Sequence, residues 1–211
     1  MKERPILFNA QMVRAILDGR KTQTRRVMKP QPDSTHDGEP YWFIGGYRAW
    51  RFTGTTAILR IGSFNPISSP YGKTGDRLWV RETFAHQPAE YEWSVSTSVP
   101  ARPDETWYRA DFANGESFNA TATWKPSIHM PRSLSRITLE ITGVRVERLQ
   151  EISIQDAMAE GVAETAPRLK DLEPCMEWRY AYEDLWKVIN GPGSWDANPW
   201  VWVIAFKRVM P

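Results

Sequence analysis

Eight residues concentrate the reactive side chains of this sequence: Gly19-Arg20-Lys21-Thr22-Gln23-Thr24-Arg25-Arg26. A lysine near a hydroxyl, here Lys21 and Thr24, is a minimal kit for an activated nucleophile, with the amine as base for the alcohol. Residues three apart share a face on a helical turn but point opposite ways on a regular strand. Cooperation therefore requires a turn or bulge near residue 22, just past Gly19. A partly buried lysine beside Arg25 and Arg26 has its pKa lowered by desolvation and by like charge. Arg20, Arg25 and Arg26 also make a simple grip for a phosphate or an oxyanion. Arg81 and Arg132 complete the set of candidate anion-binding or nucleic-acid-binding residues. The same eight residues also read as a solvated basic turn.

The elements that must position this stretch follow from local patterns. Pro5 to Phe8 is short and apolar, a first strand. Asn9 caps a helix whose apolar face is Met12, Val13, Ile16 and Leu17, and Gly19 stops it. The basic stretch thus begins past a helix C-terminus, where cations are favoured for structural reasons too. Residues 30–56 read as an irregular insertion with aromatic anchors. A strand follows at Ala57–Ile61, and Gly75-Asp76 turns into a strand from Arg77 to Phe84. Residues 85–132 read as a second long insertion, mostly loop, holding a short strand near Thr106–Ala110 and a proline-bracketed segment from Trp124 to Arg132. Ile137–Ile141 and Val144–Leu149 alternate around Gly143 as a hairpin or bent pair. Ser153 to Asp156 resembles a capping box for a short helix ending at Glu160-Gly161. Residues 164–174 are linker-like. Helical spacing recurs from Cys175 to Asn190, and Trp200–Val209 is apolar on both faces, a central strand. The expected class is α+β: a small, mainly antiparallel sheet or barrel with peripheral helices, one domain over residues 1–211.

Composition narrows the classes. The chain has 211 residues, 41% hydrophobic and 25% charged, with a net charge of +2. That is ordinary for a soluble globular protein, and no apolar run is long enough for a membrane span. Met1 to Pro5 has no apolar region behind it, so no secretory leader is expected. One cysteine excludes an intrachain disulfide and suits a cytoplasmic setting. Residues 1–30 carry eight Lys or Arg against Glu3 and Asp18, +6 locally and so −4 elsewhere. A basic end on a nearly neutral protein suggests one anion-binding face. Eleven tryptophans are many for this length. Most fill a core, and Trp79 and Trp124 are the candidates to stack on a base.

A hydrolase also needs an acid or proton shuttle, for which Glu82, Glu140 and Glu160 are candidates. Glu160 stands at a helix end, where the dipole opposes a carboxylate, a reason to look for a role beyond structure. Glu82 is also placed to pair with Arg25 or Arg26. The three histidines lie in loops without ligand spacing, and no phosphate-binding glycine loop is present, so neither a metal nor a cofactor is expected.

The stretch from Gly19, with Lys21 and Thr24, resembles the G-x-K-x-x-T-x-R signature of the ASCH domain, a relative of the PUA RNA-binding fold. Gly75-Asp76 resembles that family's G-D turn, Ala157-Met158-Ala159-Glu160-Gly161 its A-x-x-E-G helix end, and Trp202 to Phe206 its closing strand. The resemblance does not cover residues 30–56 or 85–132. It is closest to the larger ASCH-type proteins of bacteriophages and prophages. It implies a PUA-like β-barrel around a cleft and a partner that is RNA, or a modified nucleoside, with the protein a monomer. Some compact members are amidohydrolases that remove the acetyl group from N4-acetylcytidine with a lysine, a threonine and a glutamate. By position these are Lys21, Thr24 and Glu160. The alternatives are a non-catalytic reader of modified RNA or DNA and a metal-independent ribonuclease.

Overall fold

The structure, a computed structural model, describes residues 1–32, 68–87, 105–112, 123–162 and 176–209 with their side chains, and between them only the backbone of short strands. In chain order the elements are β1 (Glu3–Leu7), α1 (Ala10–Leu17), β2 (Gln23–Val27), β3 (Ser34–His36), β4 (Glu39–Ile44), β5 (Tyr47–Trp50), β6 (Phe52–Thr53), β7 (Thr56–Ala57), β8 (Arg77–Arg81), β9 (Phe84–Gln87), β10 (Glu90–Glu92), β11 (Val99–Arg102), β12 (Glu105–Tyr108), β13 (Thr138–Arg148), α2 (Ile154–Ala159), α3 (Glu177–Asn190) and β14 (Trp200–Val209). The fold is α+β. Its main sheet has the order β1-β8-β13-β14-β2, antiparallel except for the parallel pair β1/β8.

The doubly apolar pattern of β14 explains its place between β13 and β2. Trp200, Trp202, Ile204 and Phe206 enter a core with Ile6, Phe8, Val13, Ile16, Val80 and Leu139. Val201 and Val203 point to the other face, into a second core with Leu149, Ala157, Tyr182, Trp186 and Trp195. Each large apolar side chain so buried stabilises the fold by roughly 1.5–3 kcal/mol. The Gly75-Asp76 turn then fixes the first strand beside β8. Asp76 Oδ1 accepts from the Lys2 backbone N–H at 2.8 Å, and Oδ2 accepts from Arg4 Nη1 at 3.1 Å and the Lys73 N–H at 3.3 Å. These bonds, the Lys2 N–H foremost, hold the Asp76 carboxyl down at about 2.

Three expectations are corrected. Of the two alternatives at Gly143, the hairpin does not form: the chain runs on as one 11-residue strand, and a bulge between Ile141 and Gly143 gives it the bend that the other alternative expects. Residues 30–56 are not irregular throughout, for β3, β4 and β5 form a three-stranded antiparallel sheet and β6 pairs with β7. The aromatic and β-branched residues there favour strand pairing over loop. The second insertion, read as mostly loop, likewise contains β10 paired with β11, and its expected short strand, β12, pairs with β9. The expected strand over 57–61 and the linker over 164–174 fall largely or wholly outside the described residues.

The sheet is strongly curled. Arg26 on edge strand β2 donates from Nη2 to the backbone carbonyl of Leu7, at the end of the opposite edge strand β1, at 2.6 Å. One side chain thus bridges the two edges.

Candidate functional site

Backbone contacts bring Lys21 to Glu160. Asn9 Oδ1 accepts from Met12 N at 2.8 Å and starts α1, which buries Met12, Val13, Ala15 and Ile16. Gly19 ends it with φ +75°. Lys21 N then donates to Ala15 O at 2.9 Å, and Thr22 N to Ala159 O at 2.8 Å. Lys21 and Glu160 form an isolated antiparallel bridge. Gly161 makes this approach possible. Its φ is +75°, and a Cβ there would lie 2.6 Å from Lys21 Cβ and 2.8 Å from Ala15 Cβ.

The side chains complete the junction. Lys21 Nζ donates to Glu160 Oε2 at 2.7 Å and to the Glu160 carbonyl at 2.8 Å. The Lys21 side chain is 0% exposed and that of Glu160 2%. Burial pushes the Lys21 ammonium below the usual lysine range; Glu160 opposes that shift, and Arg26 and Arg25 add to it. Glu160 Oε1 accepts from Arg25 Nη1 at 3.2 Å. Both oxygens of the carboxylate are therefore held by cations.

Arg25, a candidate anion grip in the sequence, is held here by internal carboxylates. Beyond Glu160 it donates from Nε to Glu147 Oε1 at 3.0 Å, from Nη2 to the same oxygen, and from Nη2 to Asp156 Oδ2 at 3.0 Å. Arg145 closes the network, donating to Glu147 Oε2 at 2.9 Å, Asp156 Oδ2 at 2.6 Å and Gln23 Oε1 at 3.2 Å. Three cations, Lys21, Arg25 and Arg145, thus face three carboxylates. Burial works against the charge of Arg25, but Glu160 and Glu147 outweigh it and raise its pKa. Sequence alternation placed Arg145 and Glu147 on a solvent face of β13, and Asp156 was only part of a cap. Nothing in their spacing signalled this network.

Thr24 pairs with Ile204 and Arg25 with Val203, so the two side chains point to opposite faces of the sheet. Thr24 is 1% exposed and lines a cavity of 440 Å³ together with Glu160 and Arg26. Tyr71, Tyr182, Leu185 and Trp186 supply aromatic and apolar wall, with Lys29 and Asn190 also lining it. This is the size of a small-molecule pocket. Among the described residues no hydrogen bond joins Thr24 to Lys21. Tyr182 has its hydroxyl pKa pushed well up by burial and then by Glu160.

The other expected residues lie elsewhere. Arg20 pairs with Asp18 at 2.8 Å and donates to Gly161 O at 3.2 Å, beside the junction but exposed. The Arg81 and Arg132 guanidinium carbons lie over the Trp79 ring, 5.4 and 6.0 Å from its centroid. Arg81 donates to Ile128 O, and Arg132 pairs with Glu3 at 3.1 Å. Trp124 meets Phe112 edge-on at 5.7 Å. Neither Trp79 nor Trp124 lines the cavity; Tyr182 and Trp186 of α3 do, and their helical spacing marked them only as core. Glu82 pairs with Arg136, at 3.0 and 3.1 Å, rather than with Arg25 or Arg26. Glu140 pairs with Lys207 at 3.2 Å. No helix among the described residues is long and apolar enough to cross a membrane.

No family model, no curated protein and no solved structure matches the chain.

Proposed function

We propose that this is an ASCH-type protein with a PUA-like barrel, whose cavity takes a modified pyrimidine nucleoside, free or within RNA, and hydrolyses its exocyclic amide. The observation that carries the reading is a fully buried lysine bonded to a buried glutamate, Lys21 to Glu160 at 2.7 Å, where that glutamate and Thr24 line one cavity. The curl that brings Arg26 to Leu7 supports the barrel.

The chemistry follows from the groups. Transfer of a proton from Lys21 Nζ to Glu160 Oε2 frees the amine as a base, and burial makes that transfer easier by disfavouring the ammonium. Once a substrate rearranges the site, the amine takes the Thr24 proton, and Oγ1 attacks the amide carbonyl. Glu160, now protonated, gives its proton to the leaving exocyclic amine, so cytidine departs neutral and the acyl group stays on Thr24. The lysine passes its new proton to Glu160 and is an amine again; it then takes a proton from the water that attacks the ester, Glu160 returns its proton to Thr24 Oγ1, and the carboxylic acid is released. Wild-type protein is expected to release cytidine and acetate from N4-acetylcytidine, and Lys21→Ala and Thr24→Ala to release neither. No release by folded wild type removes this reading.

One observation favours a second reading, a non-catalytic reader of modified RNA. Lys21 Nζ is bonded to Glu160 twice and to Thr24 not at all. Tight, salt-dependent RNA binding without turnover supports the reader.

A further inference from the structure

We infer that Arg26 and Lys29 form a phosphate subsite at the edge of the cavity, so that the ligand is a nucleotide or a nucleotide within a strand and not an uncharged nucleoside. This rests on reading the cavity as a nucleoside pocket.

The argument is one of charge compensation. Three cations line the cavity: Arg25, Arg26 and Lys29. Arg25 is held by three carboxylates, Glu147, Asp156 and Glu160. Among the described residues Glu160 is the one carboxylate lining the cavity, and Lys21 and Arg25 already hold both its oxygens. Arg26 is different. Its Nη2 donates to the Leu7 carbonyl at 2.6 Å, and its guanidinium lies 5.2 Å from the centroid of the Phe8 ring. A carbonyl and a ring fix its orientation but do not cancel its charge. Lys29 is exposed, two residues past the end of β2. Among the described residues, neither Arg26 nor Lys29 is within ion-pair distance of a carboxylate.

The cavity thus combines an aromatic wall, Tyr182 and Trp186, with two uncompensated positive charges, one of them pre-oriented. An uncharged nucleoside satisfies the wall and leaves both charges without a counter-ion. A phosphate attached to that nucleoside satisfies both. Guanidinium with phosphate makes short, charge-assisted bonds, and a guanidinium already fixed in place loses little freedom on making them. The same chemistry is offered by a terminal phosphate monoester and by the diester of a strand.

The test is a binding ratio. Affinities for N4-acetylcytidine, for its 5′-monophosphate and for a dinucleotide carrying the base next to a phosphodiester are read by calorimetry at low salt. The expected gain over the nucleoside is about tenfold or more for at least one phosphorylated ligand, falling as salt rises. A larger gain for the monoester identifies a free nucleotide, and a larger gain for the diester a strand. In Arg26→Gln and in Lys29→Gln the ratio is expected to fall towards one. Lys29 is exposed, so its variant keeps the test valid if Arg26→Gln does not fold. Equal affinities for all three ligands, or an unchanged ratio in Lys29→Gln, overturn the subsite. Turnover of the nucleoside with no phosphate gain overturns it while amide hydrolysis stands; a phosphate gain without turnover upholds it while amide hydrolysis falls.

Discussion

Among the described residues two glutamates are buried against cations, and they differ in what their partners allow. Glu82 is 1% exposed and Glu160 2%. Arg136 takes Glu82 in a two-pronged fork, at 3.0 and 3.1 Å, and reaches Asp111 with the same guanidinium at 2.8 Å. The Arg136 guanidinium also lies 3.9 Å from the Tyr108 ring centroid. Glu160 is split between Lys21 and Arg25, and it lines a cavity. An arginine keeps its proton under all ordinary conditions, so Arg136 cannot hand a proton to Glu82 or serve as a base. A lysine shifts readily when buried, so Lys21 can do both for Glu160 and its surroundings. A buried carboxylate alone is weak ground for chemistry; the lysine and the adjacent space distinguish the second case.

The sharpest test of that contrast is Lys21→Met. On the proposed reading it removes the general base and cuts the rate of amide hydrolysis by about 10²–10⁴. Glu160 keeps Arg25 as a partner, so the protein is expected to remain folded by circular dichroism. Arg136→Met is the mirror experiment. It leaves Glu82 buried without a counter-charge, and breaking such a pair costs about 3–5 kcal/mol, read as a fall in the urea midpoint. Replacing both partners, Glu82→Leu with Arg136→Met, is expected to restore much of that loss. If Arg136→Met instead abolishes activity while leaving stability unchanged, the division between a holding cluster and a reacting one is wrong.

Within the Glu160 cluster, one part is legible in the sequence and the rest is not. Lys21, Thr24 and Glu160 stand in short motifs with glycines beside them, and backbone geometry demands those glycines: Gly19 at φ +75° and Gly161 against Lys21 Cβ. The doubly apolar β14 announced its central place. Glu147 and Arg145 carried no such mark, since alternation on β13 looks the same whether the polar face meets water or an ion network. Arg25 stands in the motif as a candidate anion grip, and its charge in the sequence does not show that three carboxylates, the nearest of them 122 residues away, will meet it. The cavity wall came from α3, whose stripe of Tyr182 and Trp186 is as consistent with a core as with a pocket, and it contributes to both.

Gly161→Ala tests whether the Lys21–Glu160 approach is built in the backbone. A side chain at φ +75° costs about 1–2 kcal/mol in conformation alone. The added Cβ also meets Lys21 Cβ and the Ala15 Cβ, neither of which is the far end of a flexible chain. Stability should fall by at least the conformational share and, on the proposed reading, hydrolysis by more than stability explains, because the lysine is displaced from the glutamate. Gly19→Ala, with the same φ but open space around it, is expected to cost only the conformational share.

The smallest effect is in the pH dependence of stability, and there the two clusters differ in sign. Burial raises the Glu82 pKa above its usual 4.5, with Arg136 opposing. The folded chain then holds a proton that the unfolded chain has released, so this contribution is fully present below about pH 4.5 and is lost as pH rises through the folded value. Burial lowers the Lys21 pKa below 10.5. Here the unfolded chain holds the extra proton, so the contribution is present above 10.5 and is lost as pH falls through the folded value. Stability curves of wild type, Glu82→Gln and Lys21→Met across pH separate the two. The first variant should flatten only the acid window, the second only the alkaline one. An alkaline window that persists in Lys21→Met would mean that another base titrates there, and the lysine would lose its distinction from Arg136.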